Sequence, residues 1–179
     1  RYILCSEAPR DNEGNLILAT SKLFHFSEKF NQEYAPYTLE LGRSFVQPDY
    51  QSSKAGAKAL FALDNLWDGL GALTVDHPEI KYFFGKVTMY SHFHTEARNM
   101  IQYFFLKYFR DTENIVYPIV AVEFGIDMEK MASIFTGNDY KEDYKILTQQ
   151  VRLLGENIPP LFNAYMNLSP SMKTFGTIQ

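Results

Sequence analysis

A single cysteine, Cys5, stands in 179 residues, which excludes an intrachain disulfide and any cysteine-rich metal site. Basic charge is also short. Lys and Arg number 17 against 21 Asp and Glu, and the resulting −4 argues against bulk electrostatic attraction to nucleic acid or anionic lipid, with local basic patches left open. No apolar run approaches the length of a transmembrane helix, and neither a signal-peptide pattern nor an internal repeat is visible. The sequence therefore predicts a cytosolic protein with no nucleic-acid partner and with peripheral membrane contact left open. What is abundant is apolar: 46% hydrophobic residues, 16% aromatic, with 15 Phe and 12 Tyr but one Trp. That supply fills one good core, predicts one domain over residues 1–179, and leaves apolar groups to line a tunnel or a partner surface. Oligomeric state is not legible.

Read along the chain, Tyr2-Ile3-Leu4-Cys5 is short and apolar, Pro9, Asp11, Asn12 and Gly14 supply turn chemistry, and 16–26 resumes in strand style. This pattern predicts a hairpin with a long loop. A loop around 31–36 leads to a predicted strand over 38–46. Over 55–76, Ala59, Leu60, Leu63, Leu66, Trp67, Leu70 and Leu73 fall at helical spacing, and Pro78 closes the helix. A strand over 82–89 follows, then a helix over 96–109 with Met100, Ile101, Phe104, Phe105 and Tyr108 on its apolar side. Strand, helix, strand, helix reads as a βαβ unit with parallel strands. Residues 115–124 are apolar and β-branched but broken by Pro118, hence irregular or the edge of a sheet. Asn138 or Asp139 caps a helix to about Leu154 that Gly155 stops, and Pro159-Pro160 opens another to about Leu168. A last strand is expected over 173–179. Strands at the first and last residues predict a chain cropped at both ends.

The segment from Leu39 to Gly56 carries the most chemistry. It reads as a strand containing Glu40, Arg43, Phe45 and Val46, a sharp break at Pro48, a polar loop and a helix start. Gly42 marks a candidate bulge. Gln51 to Gly56, with Ser53, Lys54 and Ala55, offers backbone N–H groups at a helix N-terminus, where hydrogen bonding and the helix dipole favour a negative oxygen. Such a loop cradles a phosphate-bearing cofactor; a strand, turn and capped helix without a ligand fit the same residues.

The element order and several motifs resemble the GNAT superfamily of acyltransferases. The motifs are Leu39-Glu40-Leu41-Gly42-Arg43-Ser44-x-Val46-x-Pro48-Asp49-Tyr50, Leu66-Trp67-x-Gly69-Leu70, Tyr82-Phe83-Phe84-Gly85 and Ile158-Pro159-Pro160-Leu161-Phe162-x-Ala164-Tyr165. Within the superfamily they are similar to the branch of ornithine-lipid and glycine-lipid N-acyltransferases, often labelled hemolysin-like, and more distantly to acyl-homoserine lactone synthases. The resemblance implies an α/β (α+β) fold with a central mixed, mostly antiparallel sheet flanked by helices. It also implies transfer of a 3-hydroxyacyl group from acyl carrier protein to the amine of a small amino acid, of glycine or ornithine type, in aminolipid synthesis. The enzyme would sit in the cytoplasm or at the periphery of the inner membrane.

Acetyl-CoA enzymes of the superfamily carry Q/R-x-x-G-x-G/A at the pyrophosphate loop, where this chain has Gln51-x-x-Lys54-x-Gly56. The lost glycine points away from tight CoA binding, and the resemblance implies an acyl-phosphopantetheine donor on acyl carrier protein instead, with no tightly bound cofactor. Lys54 would meet its phosphate or the acidic carrier as a point charge, or is a solvated loop lysine. The resemblance places a glutamate at Glu40 as base, directly or through water; the plain alternative is an ion pair with Arg43. Arg43 suits an acceptor carboxylate, and also the orientation of Glu40 or a donor contact. Backbone N–H groups at Phe45, Val46 and Gln47 would meet the thioester oxygen, with pantetheine lying between diverging strands.

Other residues carry less. His92, His94 and Glu96 lack a third clear ligand and read as loop polarity, so no metal is expected. Ser44 and Ser53 lack a histidine partner for hydrolase chemistry. Cys5 has no basic neighbour in sequence and reads as inert. The rival readings are a conventional acetyl-CoA acetyltransferase and a non-catalytic acyl- or lipid-binding protein. For lysis there is neither a cationic amphipathic helix nor a barrel pattern.

Overall fold

The computed structural model describes residues 1–42, 57–122 and 125–178, with the side chains at 57–64 and 66 outside that description. The chain divides into two compact units, Arg1–Ser21 with Glu28–Lys86, and Lys22–Ser27 with Val87–Gln179.

In the first unit the strands are β1 (Tyr2–Leu4), β3 (Thr38–Leu41) and β4 (Tyr82–Gly85), and helix α1 (Ala57–Asp76) lies between β3 and β4 in sequence. The expected βαβ unit is present: β3 and β4 are parallel, Thr38 opposite Tyr82 and Leu41 opposite Gly85. β1 runs antiparallel on the other side of β3, so the sheet order is β1-β3-β4 and the sheet is mixed. β3 is the middle strand, paired along both edges, and Thr38, Leu39 and Glu40 are all buried. Gly85 lies where the strands approach closely, since a Cβ there would stand 3.0 Å from the Leu41 carbonyl oxygen. β4 ends at Gly85, short of the expected Met89.

The hairpin expected between 2–5 and 16–26 does not form. Residues 16–21 fold into a turn instead, because the Ser21 hydroxyl accepts the Leu18 N–H (2.8 Å) and donates to the Leu16 carbonyl (2.7 Å). β1 thereby takes β3 as partner. The ladder with β1 is regular as far as Gly42, which donates to the Arg1 carbonyl at 2.9 Å in step with the pairing of Tyr2 to Leu41; the bulge weighed between Glu40 and Arg43 runs outside the described residues. The loop expected around 31–36 is a π-helical turn, Phe30–Tyr34, running into a 3-10 turn, Ala35–Tyr37.

The second unit holds α2 (Thr95–Tyr108), α3 (Met128–Ile134), α4 (Tyr140–Leu153) and α5 (Pro160–Leu168), with a small antiparallel sheet of β2 (Phe24–Phe26) and β5 (Val116–Pro118). Pro118 is tolerated because, among the described residues, β5 has a strand partner on one side only. The core follows the helical spacing read from sequence: Ala97, Met100, Ile101, Phe104 and Phe105 of α2 are buried and share one cluster with Leu147 and Val151 of α4. Phe104 sits at its centre, with ring centroids of Tyr108 at 4.9 Å and Tyr140 at 5.4 Å. The strand expected over 173–179 is reduced, over the described residues, to one bridge between Arg110 and Thr174. Gly176 at φ 93° breaks the extended conformation.

α4 matches its expected limits. Asp139, rather than Asn138, is the cap, its side chain accepting the Glu142 N–H at 2.9 Å, and Gly155 ends the helix at φ 78°. Asp139→Ala is expected to cost about 1 kcal/mol, read as a lower denaturant midpoint at unchanged slope.

The whole is a mixed α/β chain, consistent with a GNAT-like α+β arrangement. Among the described residues no helix is long and apolar enough to cross a membrane.

Candidate active site

Strand geometry places Glu40 on the opposite face of β3 from Leu39 and Leu41. Its side chain meets the turn at 18–21. Oε2 accepts the Ala19 N–H at 2.9 Å, and Oε1 accepts both the Thr20 N–H at 3.1 Å and the Thr20 hydroxyl at 2.7 Å. Glu40 is 3% exposed and Thr20 2%. A carboxylate so deep in a sheet must find donors within the protein, and it finds three of them on one turn. A carboxylate has about four lone-pair positions, and among the described residues Oε2 has one donor, the Ala19 N–H, with one acceptor position left over.

Cys5 follows β1 and borders the same carboxylate. Burial pushes its thiol up to about 12, the Glu40 charge adds to the rise, and a hydrogen bond with the Glu40 backbone works against it. A thiol held protonated so firmly is not a nucleophile at neutral pH, in keeping with the inert reading.

Of the residues singled out for the site, Glu40 alone lies within the described residues. Arg43, Phe45, Val46, Gln47, Gln51, Ser53, Lys54, Ala55 and Gly56 lie outside them, as do the Glu40–Arg43 pair and the widening of β3 from β4. Sequence reasoning missed Ala19 and Thr20, which hold Glu40. A small polar run, Thr20-Ser21, inside a segment read as strand is itself a turn signal.

In the second unit a buried charge also escaped notice. Asp143 is fully buried, accepting the Lys107 ammonium at 2.6 Å and the Tyr108 hydroxyl at 2.7 Å on Oδ2, and the Gly137 N–H at 2.8 Å on Oδ1. Of the histidine-loop residues, Glu96 pairs with Lys130, and the His94 N–H binds the Glu156 carboxylate at 2.9 Å.

Two curated relatives bear on these residues. The chain is 55% identical over 177 residues to a glycine N(alpha)-acyltransferase of Phocaeicola vulgatus, and 56% identical over 177 residues to one of Bacteroides thetaiotaomicron. Each match takes in 99% of this chain but 54% and 52% of the respective relative, so the chain spans about half the length of the curated relatives it matches. No protein-family model matches the chain, and no solved structure does.

Proposed function

We propose that this chain carries the acyl-transfer site of an amino-acid N-acyltransferase of GNAT type, in the aminolipid-forming, hemolysin-like branch, with glycine as acceptor. The observation that carries the reading is the identity of more than half the residues, over nearly the whole chain, with two glycine N(alpha)-acyltransferases. Glycine replaces the broader choice of glycine or ornithine on the strength of those names.

In this reading the glycine amine attacks the carbonyl carbon of an acyl thioester. The C–N bond forms, the C–S bond breaks, and the proton from nitrogen passes to Glu40, directly or through water, and on to the leaving sulfur. Only a neutral amine attacks, so an acceptor for that proton is required. The reserved position on Glu40 Oε2 suits that task, and so does its location on the middle strand. Arg43 would hold the acceptor carboxylate, and the N–H groups of Phe45, Val46 and Gln47 the thioester oxygen. Gln51, Ser53, Lys54, Ala55 and Gly56 would take the phosphate of a phosphopantetheine arm.

The donor is read as a 3-hydroxyacyl group on acyl carrier protein, because Lys54 stands where CoA enzymes have glycine. Mass spectrometry of lipids from cells fed isotopically labelled glycine tests the acceptor: new labelled N-acylglycines are expected, and unlabelled products or none overturn it. Purified protein given matched acyl carrier protein and CoA thioesters is expected to prefer the carrier by about 10-fold or more in kcat/KM, the effect of one recognition contact of about 1.4 kcal/mol. Preference for CoA overturns the donor assignment alone.

A further inference from the structure

We propose that Thr20 is a positioning residue for Glu40, and that the turn at 18–21 exists to aim one lone pair of that carboxylate at the reacting amine. The inference rests on the reading of Glu40 as base. Its ground is the distribution of donors. Among the described residues, Oε1 takes two hydrogen bonds, both from Thr20, while Oε2 takes one, from the Ala19 N–H. Thr20 thus saturates the first oxygen and leaves the acceptor position on the second. Its hydroxyl spends its only proton on Oε1, so it does not compete for the substrate amine.

The turn is built to hold that geometry. Leu16 and Leu18 are buried on either side of exposed Ile17 and anchor the approach to it. Ser21 braces it twice, accepting from the Leu18 N–H and donating to the Leu16 carbonyl, and the Ser21 N–H closes it on the Leu18 carbonyl at 3.2 Å. The donors arrive from residues 20 and 21 positions away in sequence. A carboxylate with no task on a middle strand is more simply replaced by an apolar residue, since satisfying a buried charge contributes little net stability. Cys5 is the titratable group that borders Glu40 from the end of β1, and its thiol stays neutral.

The test is a double-mutant cycle on the full chain, with glycine and a 3-hydroxyacyl thioester as substrates. Thr20→Val keeps the side chain's shape and removes its donor. It is expected to lower kcat about tenfold, the effect of one hydrogen bond to a charged group, with both KM values within about twofold of the parent. Thr20→Ser restores the donor and most of the rate. In the Glu40→Gln background Thr20→Val lowers the residual rate no further. Should Thr20→Val fail to fold, Ser21→Ala loosens the same turn without touching the carboxylate, and the same non-additivity is expected. Parent-like kcat in Thr20→Val, or an equal loss with and without Glu40, overturns the positioning role while the base survives. Parent-like kcat in Glu40→Gln alone overturns the base, and the positioning role with it.

Discussion

Turnover of Glu40→Gln is expected to fall by about 10²- to 10⁴-fold, the range that a positioned general base contributes. The KM for the acyl thioester should change little, because the donor is bound by other groups. The substitution keeps the volume of the side chain and removes its capacity to take a proton. It also disturbs the turn at 18–21. If the amide oxygen stays with the two Thr20 donors, the amide nitrogen faces the Ala19 N–H, a meeting of two donors where a 2.9 Å hydrogen bond stood. That mismatch is worth about 1–3 kcal/mol of stability, so rate and fold must be read separately. Single-turnover acyl transfer, normalised to the folded fraction from a denaturant titration, separates them. A purely structural Glu40 predicts a variant that is less stable and, while folded, as fast as the parent. A base predicts a folded variant slowed by about 10²- to 10⁴-fold, a loss that cooling will not rescue.

The order β3-α1-β4-α2 was legible because period-2 and period-3.6 patterns alternate cleanly there, and the buried set of α2 follows from its spacing. α4 was legible from its ends, Asp139 and Gly155, which act locally. Pairing was not. Tyr2–Leu4 is an apolar strand in either arrangement, and its choice of β3 over 16–26 depends on Ser21 turning the chain back, a contact among three residues that strand propensity does not register. The last segment failed for a related reason: β-rich composition over 173–178 meets one glycine at positive φ.

At the site the same division holds. Glu40 stood out through the resemblance, which places a glutamate at this point of the central strand. Its partners did not stand out. Ala19 contributes a backbone N–H, a group every residue but proline possesses, and Thr20 becomes a donor to Glu40 only when a turn brings it back across 20 residues. Asp143 is a harder case. In sequence it is one acid among Asp139, Lys141, Glu142 and Lys145, indistinguishable from a solvated helix face, yet it is the fully buried member.

That burial makes Lys107→Met the largest expected loss of stability, about 3–5 kcal/mol at neutral pH, because it strands a charge inside the second unit. Lys107 is the ionic partner: its ammonium lies 2.6 Å from Oδ2 and also donates to the Phe135 carbonyl at 3.1 Å. Nor can the carboxylate move away. Gly137 wraps so closely that a Cβ there would lie 2.6 Å from Oδ1 and 2.8 Å from the Asp143 nitrogen. Burial works against the charge, but the hydrogen bonds from Lys107, Tyr108 and Gly137 outweigh it and hold the carboxyl below its ordinary 3.8. Tyr108 shifts the other way, burial first, then the hydrogen bond it gives Asp143 and the charge there holding its hydroxyl above the ordinary value, so it remains a donor. A folded value below the unfolded one means that the parent holds this stability above about pH 4 and loses it as pH falls through the folded value. Without Lys107 the burial effect is less opposed and the carboxyl rises. The variant then relieves its stranded charge by taking a proton, and its deficit against the parent should be widest near pH 7 and narrow steadily toward about pH 4. Denaturant unfolding of both proteins across that range measures the gap. A deficit under about 1 kcal/mol and flat with pH is what an exposed ion pair would give, and would mean that Asp143 has water or another donor to turn to.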